Sequence, residues 1–157
     1  MTRIEDMSET ERQSWITLLA DGAVFAYFIN ASTMGSFRLA HTEMRDFGEI
    51  IIGVIIVTII LHAVIASIFE MRKRKGDVAR DERDIQIERK GAHWGYRLMQ
   101  YGVGAVIVTM IMHHAIGETY IPPISIQKPA EIIFALMVVS YIADLAKQII
   151  MIWSYRA

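Results

Sequence analysis

Four apolar runs divide the chain, at roughly 15–35, 49–70, 98–117 and 130–153. Each is long enough, at ~1.5 Å of helix rise per residue, to cross a hydrocarbon layer of ~30 Å. The pattern predicts an all-α polytopic membrane protein. Its four transmembrane helices form two hairpins, and residues 1–157 make a single membrane domain. The second run is dominated by Ile, Val and Leu. β-Branched residues also suit buried strands, but a run this long fits a lipid-facing helix better. The first run is the most polar, with Asp21 and Gly22 near its start and Asn30, Ser32 and Thr33 near its end. It is expected to face protein rather than lipid. Pro122, Pro123 and Pro129 stop helices ahead of the fourth run. Trp15, Trp153 and Tyr155 suit the membrane–water interface. Residues 1–13 are polar and are expected to form a short surface helix or a tail.

Between the second and third runs lies one long polar block, Arg72–Arg97. It predicts a charged cytoplasmic helix over about 77–95, with Gly91 and Gly95 letting it turn or pack tightly where it joins the third span. Val78, Asp81, Ile85, Glu88 and Ala92 fall at heptad-like spacing on one face. Acids on an otherwise apolar stripe point to basic partners. Asp81, Asp84, Glu88 and Ile85 are therefore candidate interaction residues, toward a second copy as a homodimer, a membrane-protein partner, or the basic run Arg72–Lys75. The plainer alternative is a solvated helix held above anionic lipid by its Lys and Arg.

Charge then fixes orientation. The chain carries 16 Lys+Arg against 17 Asp+Glu, for a net charge of −1, so there is no basic excess and no nucleic-acid partner is expected. Nine of those basic residues sit in the central block. With four spans, the block and both termini share a side. That side also holds Arg3, Arg12 and Arg156, whereas the other holds only Arg38, Arg45 and Lys128. The positive-inside rule puts the termini and the block in the cytoplasm, with the lipid bilayer as the first partner. The flank IEDMSETERQ is acidic, which argues against a cleaved signal peptide. The chain has no cysteine, so disulfides, thiol catalysis and thiolate metal sites are excluded.

The second and fourth runs align without gaps at a spacing of 82 residues. Glu49-Ile50-Ile51 matches Glu131-Ile132-Ile133, Thr58 matches Ser140, and His62 matches Asp144. This suggests a 2+2 parallel repeat. It also directs attention to Asp21, His62 and Asp144, each two to three turns in from the cytoplasmic end of its span. Ionisable groups at that depth cost roughly 2.5–3.5 kcal/mol on insertion scales and usually face the bundle interior. With Thr58 and Ser140 four residues before His62 and Asp144, the set suits a proton or ion pathway. The alternative is structural glue, with Asp21 against His62 and Asp144 neutralised by Lys147 one turn on. On the outer side Met34, His41, Met44, Met110, Met112, His113 and His114 offer soft ligands. Met is common in spans, however, and neighbouring histidines point apart on a helix, so no metal and no cofactor is expected. No phosphate loop, dinucleotide loop or nucleophile–base pattern is present, so no catalytic residue is assigned.

The residues Asp81-Glu82-Arg83-Asp84-Ile85-Gln86-Ile87-Glu88-Arg89-Lys90, set between two pairs of spans, resemble the D-E-R-[DE]-x-x-I-x-x-[KR] pattern of the DUF2178-like group of small four-span prokaryotic membrane proteins. The resemblance covers the central loop and the layout of spans. It implies a multi-pass protein of the prokaryotic cytoplasmic (inner) membrane and brings no activity with it. The expected function is a non-enzymatic integral membrane protein acting through self-association or a partner. The alternative is a small proton- or cation-coupled transporter or channel.

Overall fold

The computed structural model describes residues 7–33, 44–75, 82–116, 126 and 128–156. These form four α-helices: α1 Glu9–Thr33, α2 Met44–Lys75, α3 Glu82–Ile116 and α4 Pro129–Arg156. All four are long and apolar enough to cross a membrane. At ~1.5 Å per residue, α2 and α3, with 32 and 35 residues, overhang a ~30 Å hydrocarbon layer by several turns.

Local chemistry sets the helix starts. Ser8 caps α1, its hydroxyl accepting from the Glu11 amide at 3.1 Å, while Glu9 and Glu11 sit in the first turn where the helix dipole favours acids. Pro129 opens α4, and the Glu131 carboxylate reaches back to accept from the Lys128 amide at 2.9 Å. Residues 9–13 are thus the first turns of α1 itself rather than a separate tail.

The central block differs from expectation in one respect. Described from Glu82, the loop helix and the third span are one unbroken helix, α3. Of the two roles expected of Gly91 and Gly95, a turn or tight packing, the second holds: they bring α3 close to α4. A Cβ on Gly91 would overlap the Met151 side chain, and one on Gly95 would meet Lys147 Cβ at 3.0 Å and the Ala143 carbonyl at 3.2 Å. A Cβ on Gly102 would overlap Val139. An interior glycine costs a helix about 1 kcal/mol; three small residues along one face offset this by letting the backbones approach, as in other membrane helix pairs. Asp81, Val78 and the rest of residues 76–81 lie outside the described residues.

α4 touches all three other helices, and α1 also packs on α2, while α2 and α3 share no extended contact among the described residues. The hairpins therefore meet through α1 and α4. Phe28, fully buried, stacks near Phe134 at 5.4 Å and Tyr141 at 6.4 Å, and Phe25 stacks on Tyr141 at 5.4 Å. α2 turns Ile52, Ile55, Ile56, Ile59 and Ile60 outward, as a lipid-facing helix does. At one end of the molecule the starts of α1 and α3 meet the end of α4: the Arg156 guanidinium lies 5.3 Å from the Trp15 ring centre, and the Tyr155 hydroxyl donates to Asp84 at 2.6 Å.

Candidate functional site

The buried stripe of α1 is polar at its start: Ser14, Thr17 and Asp21 point into the protein, ahead of Phe28 and Ser32. Leu19 and Tyr27 point out. This inversion places Asp21 at the junction of α1, α2 and α4 with 1 % of its surface accessible. Neither carboxylate oxygen has a hydrogen-bond partner among the described residues. His62 Nε2 lies 3.5 Å from Oδ1.

The ring of His62 is oriented from within its own helix. Its Nδ1 lies 3.0 Å from the Thr58 carbonyl, which can only accept, so Nδ1 carries a hydrogen. A neutral His62 then presents a bare Nε2 to Asp21. Two lone pairs would face each other across 3.5 Å unless a proton is added. The pair is consistent with one added proton, as imidazolium against carboxylate or as imidazole against carboxylic acid. The His62 side chain is 42 % accessible against 2 % for Asp21, so His62 is the more open member of the pair.

Around this pair the predicted residues separate. Thr58 joins it: its hydroxyl lies 2.7 Å from the Tyr141 hydroxyl and donates to the Val54 carbonyl at 2.8 Å. Asp144 and Lys147 lie close enough for Asp21 to feel their charges, although Asp144 itself is exposed. Ser140 stands apart, exposed and bonded to the Leu136 carbonyl of its own helix at 2.9 Å. Tyr141 takes the place foreseen for Ser140. Its signal was present as a heptad stripe on α4, Phe134, Tyr141, Gln148 and Tyr155, running through contacts with α1, α2 and α3.

One turn before Asp21, Thr17 lines a polar cavity of about 100 Å³ shared with Gln13 and Ser14 of α1, Glu88 of α3, and Lys147 and Gln148 of α4. At ~30 Å³ per water it has room for about three. It lies on the terminus side of the pair. Its lining shows where the predicted interaction residues go: Glu88 faces this cavity and Asp84 accepts from Tyr155, both within the chain. Ile85 is half-buried, and Asp81 lies outside the described residues. The exposed face of this part of α3 carries Glu82, Gln86, Arg89, Lys90 and His93 instead. Of the outer Met and His residues, Met110, Met112, His113 and His114 occupy the last turns of α3, while Met34 and His41 lie outside the described residues, as does the side chain of Met44.

No family model, curated protein or solved structure matches this chain.

Proposed function

We propose that the protein is a non-enzymatic, multi-pass protein of a prokaryotic cytoplasmic membrane that moves protons, or a cation in exchange for them, through the Asp21–His62 pair. The observation that carries this reading is a carboxylate with 1 % accessibility and no hydrogen bond among the described residues, 3.5 Å from an imidazole nitrogen. Structural carboxylates in apolar surroundings are ordinarily bonded or neutralised; one left open beside a titratable ring suits a group that gains and loses a proton in turnover. The polar cavity reaches Thr17, one turn from Asp21, and supports an approach from the terminus side. The placement of both termini and the central block in the cytoplasm rests on the Lys and Arg distribution, and the membrane assignment draws on the central-loop resemblance. The loop acids Asp84 and Glu88 are engaged within the chain, which favours this reading over one in which they recruit a partner. Four helices enclose little space, so the path is expected to involve a second copy.

Reconstituted in proteoliposomes with an imposed pH gradient, the protein should dissipate the gradient, and His62→Ala should abolish that flux. Liposomes made with mixtures of the two chains should show less flux than simple dilution gives if two copies share a path. Unchanged flux in His62→Ala would remove the proton pathway and return the pair to a structural contact.

A further inference from the structure

We infer that the groove between α1 and α2 binds a lipophilic organic cation. The groove encloses about 610 Å³, within the ~300–1,000 Å³ common for small-molecule sites. Its floor is apolar, formed by Val24, Ile50, Val54 and Val57. Gly53 keeps it open, since a Cβ there would meet nothing within 4 Å. Among the described residues lining it, Glu49 and Tyr27 carry the polar side-chain atoms, and none is basic. Glu49 lies toward the start of α2, at the end of the groove away from the termini.

This lining selects its occupant by elimination. A lipid tail or neutral hydrophobe matches the floor and leaves the Glu49 carboxylate unmatched. An anion is repelled by it. A hydrated inorganic cation gains nothing from the floor. A cation whose charge is buried in apolar substituents satisfies both, and the Tyr27 ring adds a face that attracts it. The site deepens the transport reading, on which its role as cargo rests. The groove ends at Val54 and Val57, and the Val54 carbonyl accepts from Thr58, whose own carbonyl holds His62. Val54 at the end of the groove and His62 stand about two turns apart on α2, joined through Thr58, and Glu49 is about 20 Å from His62 along the helix.

The test is equilibrium binding of radiolabelled tetraphenylphosphonium to the full chain purified in a neutral detergent. Saturable binding is expected, weakened at least tenfold by Glu49→Gln and lost in Gly53→Leu, whose side chain grows into open groove rather than into protein. Absence of saturable binding, or equal binding by the Glu49→Gln variant, overturns the inference. So does displacement by phosphatidylethanolamine, which would make the groove a lipid site, or a change of oligomeric state in Gly53→Leu, which would make it an interface between copies. Proton flux is read separately. Binding without flux keeps the cation site and removes the proton path; flux without binding does the reverse.

Discussion

Asp21 is poorly placed for stability. A buried carboxylate with no hydrogen bond among the described residues, set against a loose imidazole contact, has been taken from water with little return. Asp21→Asn keeps the shape and removes the charge. If the group is kept for proton transfer, this variant should unfold at the same or a higher temperature in detergent, with flux abolished. If the pair is structural glue, losing it should instead destabilise, by about 1 kcal/mol because His62 is part-exposed. The two outcomes differ in sign, so a thermal unfolding curve separates them. Asp21 and His62 were legible in the sequence because ionisable residues are few in the spans. Ser140 was not correctly placed by the same logic. A hydroxyl in a helix can turn back to the carbonyl four residues earlier, as Ser140 does, and spacing alone does not reveal that choice. Tyr141, one position on, was overlooked because a tyrosine in a span passes for an apolar residue.

At the scale of elements, the four helices were readable from the apolar runs, since a membrane span advertises itself by length. For Gly91 and Gly95 the sequence left two roles open, a turn or tight packing, and the second holds. Glycine signals either freedom or closeness, and only the neighbouring helix decides which. Here α4 decides for closeness, and this sorts the glycines by the effect of one added methyl. Gly102→Ala forces its Cβ into the branched, stiff Val139 side chain and should destabilise by about 1–3 kcal/mol, with Val139→Ala restoring most of the loss. Gly53→Ala meets open space and should be neutral or stabilising by up to about 1 kcal/mol. Equal effects at the two positions, measured by unfolding of the purified variants, would contradict the close α3–α4 packing.

For the molecule as a whole, the decisive contact is at the end where α1, α3 and α4 meet, beyond the last apolar residues of α4. The Tyr155 hydroxyl donates to Asp84 at 2.6 Å and also interacts with Ser8 and Thr10, and the Tyr155 carbonyl accepts from Arg83 at 3.5 Å. Asp84 and Arg83 belong to the central polar block, so this one residue ties the loop segment to the rest of the bundle. Burial, and next the bond to Asp84, push the Tyr155 hydroxyl up from its ordinary value near 10 to about 12. The folded state thus holds the proton more tightly than the unfolded one. The stabilisation it contributes is complete below pH 10 and is lost as the pH rises from 10 toward about 12. Tyr155→Phe should lower the unfolding free energy by about 1.5 kcal/mol at neutral pH, the low end for a bond to a charged group because the site is half-buried. The difference from the unmodified chain should shrink above pH 10. Amide exchange should rise in the first turns of α3 and stay unchanged near Gly102, deep in the α3–α4 contact. A variant that loses no protection in those turns would show that the loop segment is held by its packing on α4 alone, with Tyr155 a bystander.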